Sequence, residues 1–293
     1  MQSLEDVARE WSPEPQVMTR SITGQPVEAF AALLDEQRPA LLSGQAIPPL
    51  WHWFYFADLR RQDELGDDGH PREGAFLPPI PGRKRMFAGG RLEQFSPFLV
   101  GGEYTRRSRL AKTALKQARS GQLLFATIRH EYEAGGELVA AEEEDIVYRQ
   151  QLAAPSRKEP QSEEKRPVEH ADGGFTRTTR VDETFLFRFS ALTYNAHRIH
   201  YDRTYTTEIE GYPDLVVHGP LLALLALEIP RKVEGGDSLL RSIDFRLTKP
   251  AFLGASVEAR GQRDGNVWKV EAGNSGEAPS VTATATYTEG QNQ

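Results

Sequence analysis

The sequence predicts an α+β protein of two similarly ordered halves, with antiparallel sheets each wrapped around a central helix. Three observations carry that prediction. Leu221 to Ile229 (LLALLALEI) is apolar nearly all round, as a buried helix is, and strand-like segments follow it almost to the end of the chain. The first half runs in the same order, a helical stretch and then strand-like segments, without repeating the sequence. Between the halves, Ala154 to Gly174 (APSRKEPQSEEKRPVEHADGG) has Val168 as its only sizeable apolar residue, which suits a linker. The expected division is a domain over residues 1–153, a linker over 154–174 and a domain over 175–293.

In the first half, Pro26 to Glu36 reads as helical, and Pro48 to Leu59 (PPLWHWFYFADL) is an apolar–aromatic run. From Arg61 to Gly82 (RQDELGDDGHPREGAFLPPIPG), Gly, Pro and charge crowd out periodicity, so a long surface loop is expected. Strands are expected at Arg85 to Phe95, Gly102 to Lys116, Gly121 to Glu133 and Val139 to Tyr148. The second part of Gly102 to Lys116 suits a helix equally. The second half opens with Phe185-Leu186-Phe187-Arg188-Phe189, passes a His-rich turn, an exposed stretch and Leu215-Val216-Val217, and enters the buried helix. Strands follow at Leu239 to Leu247, Ala255 to Gln262, Val267 to Asn274 and Ser280 to Tyr287, with Asp264-Gly265-Asn266 as a hairpin turn.

Composition narrows the function. A chain of 293 residues, 39% hydrophobic and 26% charged, can fill two cores. A net charge of −7 argues against general binding to nucleic acid or an anionic membrane, so an anionic ligand needs a local basic pocket. The absence of cysteine excludes disulfides, thiolate metal sites and a cysteine nucleophile. The acidic N-terminus, MQSLEDVAREWSPEPQ, does not read as a signal peptide, and no run approaches the roughly 20 apolar residues of a membrane span. A cytoplasmic protein is expected.

Reactive side chains are densest at Thr193-Tyr194-Asn195-Ala196-His197-Arg198-Ile199-His200-Tyr201-Asp202. An imidazole titrating near neutrality suits proton transfer. Val216-Val217-His218-Gly219-Pro220 leads straight into the buried helix, where the Gly219 N–H at the positive helix end suits a developing oxyanion. Arg83-Lys84-Arg85 suits phosphate binding or a solvated loop; Trp51, Trp53, Phe54 and Phe56 suit an acyl pocket or core packing. No metal-ligand spacing such as H-E-x-x-H is present, so no metal is expected.

Ile199-His200-Tyr201-Asp202 followed by Val217-His218-Gly219 resembles the MaoC-type hot-dog hydratases. Within them, the chain is most similar to the branch of mesaconyl-C4-CoA (3-methylfumaryl-CoA) hydratases and mitochondrial-type hydroxyacyl-thioester dehydratases. Supporting segments are Leu50 to Phe56, Met86 to Gly90, Ile146 to Arg149 and Ala191 to Asp202. The resemblance implies a tandem (double) hot-dog fold, with a substrate pocket in the first domain and catalysis in the second. It implies His200 as the acid/base and Gly219 as the oxyanion donor, with Asn195 orienting water or substrate and Asp202 as a candidate second carboxylate. His197, Arg198, His218, Arg85 and Trp53 are the implied substrate-binding residues. The family's Asp-x-Asn-Pro-x-His signature departs here: Asn195, His197 and Arg198 stand where Asp, Asn and Pro are expected.

The implied activity is hydration of a short, branched dicarboxylic enoyl-CoA such as 3-methylfumaryl-CoA or itaconyl-CoA. Coenzyme A is then part of the substrate, no cofactor is needed, and a homodimer is expected. Two alternatives stand beside it: a 3-hydroxyacyl-thioester dehydratase of fatty-acid metabolism, and a non-catalytic acyl-thioester-binding protein.

Overall fold

The computed structural model describes residues 4–36, 42–80, 82–118, 121–150, 174–235 and 239–288. Of the expected linker, all but Gly174 lies outside the described residues. The first half contains helix α1 (Leu4–Glu10), strand β1 (Gln16–Ser21), helix α2 (Gly24–Leu33) and four long strands. These are β2 (Arg83–Gln94), β3 (Glu103–Ala118), β4 (Gly121–Ala134) and β5 (Glu137–Gln150). The second half contains β6 (Phe175–Thr179), α3 (Glu183–Thr193), α4 (Gly219–Glu234), β7 (Leu240–Leu247), β8 (Val257–Asp264), β9 (Val267–Asn274) and β10 (Val281–Tyr287).

The strands join in one antiparallel sheet of ten, ordered β1-β3-β4-β5-β2-β7-β10-β9-β8-β6. Each half supplies five neighbouring strands, and β2 against β7 is the seam. Gly89 sits at that seam with φ +146, and an added Cβ would lie 2.3 Å from the carbonyl oxygen of Phe245. Only glycine permits so close an approach of the two backbones. The sheet wraps α4, which packs on β8, β9 and β10. Its residues Leu221 to Pro230 are buried without a break, as the apolar run requires.

Three local features have physical causes. Helix α2 stops at Leu33 rather than Glu36, because Asp35 takes a left-handed conformation (φ +56). The strand β3 is strand throughout. A register shift between Leu110 and Lys112 resets its alternation, so Leu110 and Leu115 both reach a small second core around Leu124, Ile128 and Tyr148. The Phe185 to Phe189 segment lies inside α3, which Asp182 caps by accepting the Phe185 N–H at 2.9 Å.

The main core runs across both halves: Phe30 of α2 packs edge-on against Trp51 at 4.8 Å and lies 6.0 Å from Phe189 of α3. Behind Trp51, Arg231 of α4 pairs with Glu36 at 2.5 Å and with buried Glu228.

Candidate active site

The end of α3 sets up the site. Tyr194, left-handed at φ +53, stops the helix, and the Asn195 N–H returns to the Ser190 carbonyl at 2.8 Å. Asn195 Oδ1 then accepts the His197 N–H at 3.0 Å, turning the chain into a single short turn, Arg198–His200. The Val216 N–H donates to the Ile199 carbonyl at 2.9 Å, which draws the segment entering α4 alongside this turn. His200 closes the junction: its Nδ1–H donates to the Val216 carbonyl at 2.7 Å. That bond fixes the tautomer and leaves Nε2 as the group that can accept a proton.

Burial is the main force lowering the His200 pKa, to about 3, with the charge of His197 acting in the same direction and the Val216 bond opposing it. The ring is therefore a neutral acceptor at neutral pH. His218 stacks on it at 3.6 Å and is itself held by Ser190 Oγ at 2.9 Å from Nε2. Gly219 begins α4, so its N–H has no intrahelical acceptor.

His200, Asn195, His197 and Gly219 share a cavity of about 720 Å³ whose wall comes from both halves. The first half supplies Trp53, Phe56, Arg85 and Arg106 to it. The aromatic run thus divides: Trp51 and Phe54 are core, Trp53 faces the cavity, and Phe56 belongs to the core and to the cavity wall alike. Trp53 is anchored by donating Nε1–H to Glu142 at 2.6 Å, and the same carboxylate accepts Tyr132 OH at 2.7 Å and stands 3.1 Å from His52 Nε2. Burial opposes ionisation of Glu142, yet the His52 and Tyr132 bonds hold its pKa down at about 2.

Three expected site residues are not on the cavity wall. The Asp202 carboxylate is spent on Arg198 (2.7 Å) and on capping the Tyr205 N–H (2.9 Å), so it is not the second carboxylate of the site. Arg198 in turn binds the Asp67 carbonyl at 2.9 Å and lies over the Tyr205 ring, rather than meeting substrate. His218 backs His200 from inside the core, 1% exposed. Of the basic run, Arg83 is tied to the Arg72 carbonyl, while Lys84, paired with Glu210, and Arg85 both line the cavity.

The sequence reading missed Asp68 and His70, both on the wall, because the Arg61 to Gly82 loop reads as solvated. That loop is instead strapped to the motif by the Arg198 N–H, which donates to the Asp68 carbonyl at 2.9 Å. Gly69 (φ +85) presses on Ala196, where an added Cβ would lie 1.8 Å from the carbonyl oxygen. The His70 ring lies tilted against His197 at 3.9 Å, and Asp68, His70 and His197 have ligand-capable atoms within 4.8 Å of one another. Arg106 was also missed: it lies in a strand whose sequence gives no sign of a cavity.

Comparison with known proteins shows the family. Residues 50–253 match the sequence profile of hydroxyacyl-thioester dehydratase type 2 proteins. The chain belongs to that family. A mesaconyl-C(4)-CoA hydratase of Chloroflexus aurantiacus is 41% identical over 87% of this chain and 89% of its own. A mitochondrial hydroxyacyl-thioester dehydratase type 2 of Schizosaccharomyces pombe is 28% identical over 76% of this chain and 80% of its own. Among solved structures, a MaoC-like dehydratase from Phytophthora capsici superposes with a TM-score of 0.69 at 16% identity, covering 98% of this chain and 99% of that one. The fold is thus the MaoC-type double hot-dog, and family membership makes this dehydratase-family chain an enzyme of the hydro-lyase class. Among the described residues no helix is long and apolar enough to cross a membrane.

Proposed function

We propose that this enzyme hydrates a short dicarboxylic enoyl-CoA of the 3-methylfumaryl-CoA kind. In this reading the thioester carbonyl accepts the Gly219 N–H, His200 Nε2 takes a proton from water, and the water oxygen bonds to the β-carbon. Negative charge then develops on the thioester oxygen at the positive end of α4, and protonation of the α-carbon completes the addition. Dehydration is the same path reversed. Coenzyme A enters and leaves as part of the substrate.

The observation that carries the dicarboxylate reading is Arg106. It lines the cavity beside Phe56, its Nη1 donates to the Phe56 carbonyl at 3.1 Å, and its buried Nε–H has no partner among the described residues. It makes no ion pair with any described carboxylate within 4.0 Å. A buried donor of that kind calls for an anion, which a second substrate carboxylate supplies and a plain alkyl chain does not. The hydratase at 41% identity supports the same substrate class.

The test compares kcat/KM for 3-methylfumaryl-CoA and crotonyl-CoA in the wild type and in Arg106→Met. The expected result is a wild-type preference for the dicarboxylate that falls at least roughly thirtyfold in the variant. A wild type preferring crotonyl-CoA or longer chains would replace this reading with a 3-hydroxyacyl-thioester dehydratase of fatty-acid metabolism.

A further inference from the structure

The family signature has an aspartate where this chain has Asn195, and an amide neither accepts nor supplies a proton in such a step. Hydration nevertheless needs two proton movements: one leaves water and one arrives at the α-carbon. His200 accounts for the first. We propose that His70 is the second catalytic group, giving the α-carbon its proton, and that Asp68 positions it. This rests on the hydratase reading above and adds a residue to it.

Placement is the first argument. Asp68 and His70 line the same cavity as His200 and Gly219, although more than a hundred residues separate them in the chain. A row of rings connects the two groups: His70 to His197 at 3.9 Å and His197 to His200 at 5.5 Å. Asp68 is the second. Its Oδ1 accepts the His70 backbone N–H at 2.9 Å and its Oδ2 lies 3.4 Å from His70 Nδ1, so one carboxylate sets both the backbone and the ring. Despite partial burial, the His70 bonds and the charges of His70 and His197 hold the Asp68 carboxyl well below the usual carboxylate range. An anion there stabilises a protonated ring during turnover. Third, the loop is built in: Arg198, fixed by Asp202, holds the carbonyls of both Asp67 and Asp68. This gives the Arg198–Asp202 pair a use that its absence from the cavity wall otherwise leaves unexplained.

The electron count closes. His200 Nε2 takes a proton as the water oxygen bonds to the β-carbon, and the π pair moves through the α-carbon to the thioester oxygen. Collapse of that enolate forms the α-C–H bond with the His70 proton. His200 then loses a proton to solvent and His70 regains one. A metal ion in the same pocket is the competing use of Asp68, His70 and His197. Against it stands the local charge: besides burial, the main cause, the charges of Lys84 and Arg85 lie close enough to help depress His197, and they oppose a further cation there.

The charged and titratable groups that share the cavity with His70 include Asp68 on its own loop, His197 and His200 of the motif, Lys84 and Arg85 of β2, Arg106 of β3, Tyr132 of β4, Glu144 and Arg149 of β5, and Glu210 and Tyr212. The experiment measures kcat, KM and the pH profile for wild type, His70→Gln and Asp68→Asn, on an enoyl-CoA that the wild type hydrates. Metal content is measured on the same preparations. His70→Gln is expected to lose at least about a hundredfold in kcat with little change in KM, and to lose the alkaline fall that belongs to a general acid. Asp68→Asn keeps the ring and is expected to lose less, about tenfold, and to shift that alkaline fall to lower pH. A folded His70→Gln within threefold of wild type, or Asp68→Asn with an unmoved profile, overturns the proposal. So does stoichiometric bound metal whose removal abolishes activity. A wild type inert on every enoyl-CoA instead overturns the hydratase reading and takes this proposal with it.

Discussion

In the proposed reaction His200 is kept neutral by its burial and aimed by two contacts, an Nδ1–H bond to Val216 and a stack on His218. Keeping it neutral has a thermodynamic consequence. His200, His197 and His218 are all depressed, His200 to about 3, with burial the largest cause in each case. In the unfolded chain each regains a pKa near 6.5. Below that pH the unfolded state therefore binds protons that the native state refuses, so stability is full above about pH 6.5 and is lost as the pH falls. Each such imidazole contributes a slope of up to ~1.4 kcal/mol per pH unit, and the three together up to about 4 kcal/mol per unit. The lowered carboxylates Asp68 and Glu142 act in the same direction, but only below their unfolded pKa of about 4. Urea titrations should show a steep loss of stability between about pH 6.5 and 5, and a shallower one in His218→Gln. A flat profile over that window would mean these rings are charged or solvated in the native protein.

At the scale of elements, the loop after Arg61 matters more than its composition indicates. Its grip on the motif depends on Gly69, whose positive φ and contact with Ala196 leave no room for a side chain. Gly69→Ala should therefore cut kcat/KM at least tenfold by displacing Asp68 and His70. The melting temperature should move by only a few degrees, because this part of the loop adds little to either core. Unchanged activity would show that the strap is dispensable. The same loop shows where sequence reading ends. The helix α4 and strands β4, β9 and β10 are legible because their side chains repeat with one period, and His200 with Gly219 is legible because the motif is local. Asp68 and Arg106 are not, since each acquires its role from a partner more than a hundred residues away or from the emptiness of a cavity. Asp202 misleads for the opposite reason: it stands two residues from His200, but its carboxylate turns to Arg198.

At the scale of the molecule, one chain does what two separate hot-dog units would do by pairing. The seam of β2 and β7 makes the sheet continuous, and the cavity draws its wall from both sides of that seam. The first half brings an aromatic and cationic wall with Arg106; the second brings the imidazole and the helix end. In the proposed reaction His200 acts on water within that shared cavity. The most direct measurement is the turnover of enoyl-CoA in ¹⁸O-labelled water by wild type and His200→Gln. The account predicts label at the β-hydroxyl in the wild type and a loss of at least about a hundredfold in the variant's rate. A correctly folded His200→Gln that incorporates label at close to the wild-type rate would contradict it.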